Sequence, residues 1–322
     1  GVDGITQAVE QQGQLLLQTT GHAFLDDIAH GVLRTIDPNT GDLSAGNTEA
    51  RTLLDAHLIS GDGRTNENVG LSMIHDVFHA EHNSVVTDLK SRMTLNADGS
   101  YTEQGTGRIW SGEDIFQAAK LVTEMQYQHM IFGEFVRKFS PNINLFAGYD
   151  VTIDPAISAE FAHAVYRFGH SMLTETVAMT GFDPLTGLSN GQDNSMGLIE
   201  AFINPLAYKT DTAGQVALGM SGQVGNAIDE WVTDALRNNL VGLPLDLATL
   251  NIVRGRDTGM LSLNGVRQEL FTATNGNTTL KPYESWNEFK ANLLHQETLV
   301  NFVMAYSRDA VLTQFAADKT IA

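Results

Sequence analysis

Two short segments of the sequence hold residues whose types and spacing could bind an iron-containing macrocycle. His170 lies on an apolar run with Arg167 three residues before it. Asn251 precedes two arginines, and Arg254 again follows at a three-residue step. Haem requires an imidazole for the iron, a partner for the second ring nitrogen, and guanidinium groups for its propionates. The two segments together therefore predict a haem site.

Each of these residues, taken alone, has an ordinary structural explanation. A single histidine on an apolar helix face is usually a hydrogen-bonded core residue. Arg167 would by itself be read as a surface cation, and Asn251 could cap a turn. The haem prediction depends on the occurrence of all these groups in one chain.

The elements expected to position these residues are mainly helical. Apolar residues recur at a helical period from Leu71 to Leu89, and Ser111 precedes acidic residues as an N-cap would. Further helices are predicted from about residue 155 through His170, over 224–239, around 286–294 and over 299–315. The Gln-rich start is also predicted to be helical, and 181–197 is predicted to be a loop. The sequence therefore predicts a single, mainly α-helical domain over residues 1–322.

Composition limits the classes of partner and cofactor. Of the 322 residues, 42% are hydrophobic and 18% are charged, as in soluble globular proteins. The 19 basic and 38 acidic residues give a net charge of −19, which argues against nucleic acid as a partner. No apolar run is long enough to predict a membrane span. The absence of cysteine excludes disulfides, thiolate catalysis and thiolate-ligated haem, and an acidic, cysteine-free chain suits a secreted bacterial protein.

Several motifs, in a shared order, resemble those of the animal-type haem peroxidase family, or peroxidase–cyclooxygenase superfamily. The segments 20–30 and 75–79 are similar to its bacterial branch, which includes large, secreted, multidomain proteins. The resemblance covers nearly the whole chain. It implies a helical peroxidase domain that reduces hydrogen peroxide and oxidises halide or small organic donors. The motifs are Tyr166-Arg167-Phe168-Gly169-His170, Asn251 to Asp257 with Gly259, Gly61 to Asn68, and Glu81-His82-Asn83.

The resemblance assigns roles on the proximal side of a haem b. His170 would be the proximal iron ligand, and Asn251 would accept a hydrogen bond from its second ring N–H. Arg167 and Arg254 would pair with the haem propionates. The position three residues before the histidine holds Arg167, whereas cyclooxygenase-like relatives have a radical-forming tyrosine there. This difference favours a peroxidase over a fatty-acid dioxygenase.

The resemblance also assigns distal roles, but the distal side departs from the family pattern. Arg64 would stabilise charge that develops as the peroxide bond breaks, and Glu67 lies where related enzymes form a haem ester. Asn68 replaces a methionine that some relatives bond to haem. Neither the family's upstream distal histidine nor its calcium loop is visible in the sequence. The segment 24–30 superficially resembles the histidine motif, but Asp27 stands where the histidine would be, so the segment is interpreted as part of the bacterial-branch motif. We therefore expect a central piece of the domain, without its distal part and final helices, that belongs to a longer polypeptide and is a weak catalyst alone.

Two alternatives come from other classes of protein. His75, His79 and His82 are spaced at i, i+4 and i+7, so that a non-haem zinc or iron site could be built on one helix. A solvated, hydrogen-bonded helix face explains the same spacing more simply. The second alternative is a non-catalytic, acidic scaffold module of a large secreted protein. Such a module would have the peroxidase fold but would not catalyse the reaction.

Overall fold

The computed structural model describes residues 63–202, 204–209, 212–240 and 244–307, together with the backbone of residues 7–11 and 14–18. These residues fall into two compact units. The first is drawn from 1–153 and 177–223, and the second from 154–176 and 224–322. Both units are mainly helical, which confirms the predicted fold class. The prediction of a single domain over 1–322 stays a prediction.

Eleven α-helices occur in the described ranges, and short 3-10 turns separate several of them. A π-helical turn, Met130–Phe135, joins α2 to α3. The helices are α1 (Val69–Ser91), α2 (Gly112–His129), α3 (Val136–Phe139), α4 (Ala159–His163), α5 (Gly169–Met172), α6 (Thr212–Gly222), α7 (Asp234–Asn238), α8 (Leu247–Asp257), α9 (Leu263–Ala273), α10 (Trp286–Lys290) and α11 (Leu299–Tyr306).

Short strands form small antiparallel sheets between the helices. Among them, β3, β4 and β5 form a three-stranded sheet, while β1 pairs with β2 and β7 pairs with β8. The strands are β1 (Gln7–Gln11), β2 (Gln14–Gln18), β3 (Met93–Leu95), β4 (Tyr101–Glu103), β5 (Ile109–Trp110), β6 (Thr176–Val177), β7 (Thr180–Phe182), β8 (Ser189–Asp193) and β9 (Met196–Gly197).

The first unit is organised by α1 and α2, which pack against each other. The Asn68 side chain caps α1 by accepting from Gly70 N at 2.8 Å. Ser111 and Asp114 cap α2 with a reciprocal pair of side-chain to backbone bonds, which confirms the predicted N-cap. Between the two helices Val86, Ile115 and Ala119 are fully buried. Each large side chain buried in this way contributes about 1.5–3 kcal/mol.

Two sequence predictions in the first unit were wrong. The Gln-rich start contains the strand pair β1–β2, with Val9 opposite Leu16, rather than a helix. Its two apolar runs are short, and an isolated helix of that length is marginal in water, whereas a hairpin pairs both backbones directly. The predicted loop at 181–197 contains the β7–β8 hairpin, in which Gly187 adopts the positive φ of a tight turn and Gly191 adopts positive φ within β8, where the strand pairing has a register shift.

The second unit positions His170 on a broken helical segment rather than on one long helix. α4 ends at His163, and Ala164 has φ −131° and ψ −65°, which interrupts the helical hydrogen bonds. A 3-10 turn over Val165–Phe168 then leads into α5. Because the turn is tighter than an α-helix, it directs the Arg167 and His170 side chains differently from a continuous helix.

The predicted helix over 224–239 was also wrong for most of its length. Only α7 is helical there, whereas Asn226 bonds to Met172 O and Leu173 O through its backbone and side chain. Asp229 accepts a hydrogen bond from Trp231 N in a local turn. Asparagine and aspartate compete with helix formation in this way. Farther on, α10 and α11 confirm the two final helical predictions, although residues 308–315 lie outside the described residues.

Candidate functional site

His170 is a half-buried imidazole on the short helix α5. Burial, and then the neighbouring charge of Arg167, lowers the pKa of His170 below its ordinary value, so that the ring is neutral near pH 7. The bonds of this ring within the described residues involve Nδ1 only. The neutral imidazole is the form in which histidine binds metal ions, and Nε2 of this ring has no hydrogen-bond partner among the described residues.

Asn251 contacts this ring from α8, across 81 residues of sequence. Its Nδ2 lies 2.7 Å from His170 Nδ1. The prediction that these two side chains lie within hydrogen-bond distance is therefore confirmed. Asn251 reaches the ring because α8 packs against the α4 segment and is fixed at its start by Asp246, which accepts a bond from Thr249 N.

Arg167 completes a chain of three side chains. Its Nη1 donates to Asn251 Oδ1 at 3.3 Å, while its Nε is buried and has no partner in the described residues. An arginine can only donate, so the amide oxygen faces Arg167 and the amide NH₂ faces His170. Nδ1 of His170 is then the acceptor, and the ring proton is on Nε2. This orientation differs from the sequence expectation, in which Asn251 accepts a bond from Nδ1–H.

The other sequence-predicted residues occupy exposed positions. Arg254 lies on α8, three residues after Asn251, and forms no ion pair with a described residue. Arg64 belongs to the 3-10 turn Gly63–Asn66 of the first unit, and Glu67 follows it directly. The structure thus brings together Arg167, His170 and Asn251 within the second unit. The roles predicted for all six residues remain predictions.

A large cavity lies within the second unit, beside Asn251. Its volume is about 930 Å³, and its walls include Arg167, Asn251 and several aromatic side chains. Sequence reasoning did not predict this cavity. Arg256 belongs to the motif from Asn251 to Asp257, but the sequence predicted no role for it. In the structure Arg256 lines the cavity together with His163. The series of aromatic residues between 283 and 306 was the one feature of the sequence that could have indicated this cavity. Only the fold shows that these side chains line the same cavity.

The alternative metal site on α1 receives no support from the geometry. Within the described residues, no group of three histidine, aspartate or glutamate side chains is arranged to hold a metal ion. His82 is buried, and its ring nitrogens lie 3.4 Å from Asn83 Oδ1 and from Phe116 O. It also contacts the Phe116 ring. His82 is therefore a buried, hydrogen-bonded residue, whereas the simpler explanation had predicted a solvated helix face.

The sequence and the helical fold match a known class of protein. The sequence profile of the animal haem peroxidase family matches residues 18–311, so the chain belongs to that family. Peroxidase mlt-7 of Caenorhabditis elegans is 30% identical over 223 residues, which cover 66% of this chain and 28% of that protein. Peroxidasin of Drosophila melanogaster is 28% identical over 224 residues, covering 65% and 13% respectively.

A solved structure shares the fold. Peroxidase A from Dictyostelium discoideum (DdPoxA) superposes with a TM-score of 0.62 at 25% sequence identity, covering 77% of this chain and 44% of that one. The chain thus spans less than half of these relatives. No helix in the described ranges is both long and apolar enough to cross a membrane.

Proposed function

We propose that the chain binds haem b through His170 and belongs to an enzyme that reduces hydrogen peroxide and oxidises halide or small organic donors. The observation that carries the proposal is the His170–Asn251 contact at 2.7 Å, on a neutral, half-buried ring whose Nε2 has no hydrogen-bond partner in the described residues. Family membership supports the cofactor. Bound haem would supply an iron centre that reacts with peroxide.

The residues of the second unit fit this group. His170 would hold the iron through Nε2, which requires the ring proton to move to Nδ1. Asn251 would then turn its amide so that Oδ1 accepts that proton's hydrogen bond. Arg167 would leave Asn251 for a propionate carboxylate, which also supplies a partner for its buried, unpaired Nε. Arg254 would face the second propionate.

The remaining roles belong to the same proposal. Arg64 would stabilise negative charge on the departing peroxide oxygen, and Glu67 would be the residue for an ester link to haem. A calcium ion would be a further cofactor of the full-length parent. The larger size of the relatives supports a multidomain parent protein, and the acidic, cysteine-free composition fits a secreted bacterial one.

Hemin titration tests the proposal. We expect a saturable shift of the Soret band at one equivalent of hemin for the wild type, weakened or lost in His170→Ala. The matched control is His129→Ala, an exposed histidine at the end of α2. An unchanged titration in His170→Ala would contradict the ligand assignment.

Turnover assays on the hemin-loaded chain then separate the possible activities. We expect peroxide-dependent oxidation of a phenol or a halide, because Arg167 stands three residues before His170, where a dioxygenase would have a tyrosine. Oxygen uptake with a fatty acid would instead indicate the dioxygenase. Hemin binding with neither reaction would indicate a non-catalytic scaffold module.

A further inference from the structure

The cavity of the second unit has two chemically different walls. One wall is aromatic and comes from the chain around α10 and α11. Within it Phe289 meets Tyr283, Trp286 and Phe302 edge to face, with ring centroids 5.6, 6.0 and 5.1 Å apart. Edge-to-face packing fixes these rings relative to each other. The wall is therefore a preformed apolar surface, completed by Tyr306.

A second part of the lining is polar and cationic and comes from the α4 segment and α8. Arg167 and Arg256 line it together with His163. Two buried nitrogens on this wall, His163 Nδ1 and Arg167 Nε, have no hydrogen-bond partner in the described residues. A buried nitrogen without a partner is costly, so a site that leaves two of them unpaired favours a ligand that supplies acceptors.

The charge of the cavity favours an anion. Glu284 also lines it, but its carboxylate is paired with Lys281 at 2.7 Å. Arg256 forms no ion pair with any described residue. Arg256 therefore gives the site a local positive charge, to which Arg167 adds when no haem is bound, within a chain whose net charge is −19. A guanidinium fork suits a carboxylate.

We propose that this cavity binds an amphipathic carboxylate, with an aromatic body against the ring wall and its carboxylate toward Arg256 and His163. The volume of about 930 Å³ is in the range of small-molecule sites. The carboxylate site is centred on Arg256 and His163, to which the proposed function gives no role, whereas Arg167, which it gives to a haem propionate, also lines the cavity and His170 does not. The inference thus goes beyond the proposed function and does not depend on it.

Binding of 1-pyrenebutyrate to the full chain tests this site, with neutral 1-pyrenebutanol as the matched ligand. Energy transfer from Trp286 to pyrene reports occupancy, and Trp286→Phe should remove most of that signal. We expect one saturable site at which the carboxylate binds about tenfold tighter than the alcohol, as a charge-assisted hydrogen bond implies. Arg256→Gln should abolish this preference. Arg92→Gln, an exposed arginine paired with Asp88 in the first unit, is the control and should keep it.

Three results would overturn the proposal. The first is the absence of saturable binding, and the second is equal affinity for acid and alcohol in the wild type. The third is displacement of the probe by one equivalent of hemin, which would make the cavity part of the haem site. Retention of the probe in His170→Ala, with hemin binding lost, would support two separate sites. If His170→Ala keeps hemin binding, the haem assignment fails while the cavity assignment stands on the probe alone.

Discussion

At the scale of single residues, the contact of Asn251 with both Arg167 and His170 decides what the imidazole can bind. The amide oxygen is taken by Arg167 Nη1 at 3.3 Å, so the NH₂ group faces His170 Nδ1 at 2.7 Å. This orientation leaves the ring proton on Nε2 and opposes metal binding there. If an anion bound Arg167 and removed its hydrogen bond to Asn251, the Asn251 amide could rotate so that its oxygen faced His170. Arg167 therefore positions Asn251, which in turn positions the ring proton.

Substitution of Asn251 tests this positioning. Asn251→Ala should weaken hemin binding about 10–100-fold, because the ring loses the partner that orients it. Asn251→Asp should retain most of the affinity, since a carboxylate can only accept and so selects the Nδ1–H ring. The control is Asn238→Ala, an exposed asparagine at the end of α7. If hemin titration showed that the alanine and aspartate variants lose hemin affinity equally, this would argue against a role for a hydrogen-bond acceptor at position 251.

The sequence predicted which residues form this contact but not the direction of the hydrogen bond between them. Motif resemblance placed His170 and Asn251 together, and the distance between them is as expected. Which amide atom faces the ring depends on Arg167, a third residue whose direction is set by the break at Ala164. Local residue spacing does not encode such a break. For the same reason Arg256 and His163 had no predicted role, because only the packing of α4 on α8 brings them to one cavity.

At the scale of elements, sequence patterns predicted a helix or its cap correctly where all the interacting residues lie within that element. Ser111 and Asp114 form their capping box within three residues, and the apolar period of α1 produces the predicted helix. The segment 224–239 failed because its side chains bond to other segments. Asn226 Nδ2, for example, donates a hydrogen bond to Leu173 O. Long-range partners of this kind override helix propensity.

The contact between residues 229–231 and the start of the final helical region should be pH-dependent. His295 Nε2 lies 3.0 Å from Asp229 Oδ2, and its ring meets Trp231 edge to face. The hydrogen bond to Asp229, with the charges of Asp229, Glu297 and Glu230, raises the pKa of His295 above 6.5. A raised folded-state pKa contributes stability that is present below the unfolded-state pKa and is lost as the pH rises through the folded-state value.

Thermal unfolding at several pH values tests this contact. The Tm should fall as the pH is raised from about 6 to about 9, and His295→Gln should reduce that fall. Trp231 fluorescence can report the same transition locally. His129→Gln, which changes an exposed histidine of α2, is the control and should leave the slope unchanged. A slope in His295→Gln equal to that of the wild type would exclude His295 as its source.

At the scale of the whole molecule, the chain belongs to the animal haem peroxidase family but covers only part of the length of its relatives. It spans 28% of Peroxidase mlt-7 and 44% of the DdPoxA chain. The family and the helical class could be predicted from the sequence because motifs retain their order along the chain. The two compact units could not be predicted, since no linker-like composition separates them.

Catalysis by this chain alone should be weak even when hemin is bound. Peroxide must lose a proton to react and regain one on the departing oxygen, and a positioned base contributes about 10²–10⁴-fold to such transfers. Arg64 is always protonated and cannot carry that proton. His22, His30 and His57, the only histidines before Arg64, lie outside the described residues, and none has the family's distal motif. Donor oxidation should be slow, and alanine substitution of any of these three histidines should leave its rate unchanged. Fast turnover that one such variant abolishes would identify a distal base within the chain.

The most direct test of the central claim replaces the imidazole of His170 and then returns it. His170→Gly, loaded with hemin, should lose the wild-type visible spectrum and recover it on addition of free imidazole, because the side-chain cavity admits the missing ligand. His129→Gly should retain the wild-type spectrum throughout. A His170→Gly spectrum identical to the wild type before imidazole is added would contradict His170 as the iron ligand.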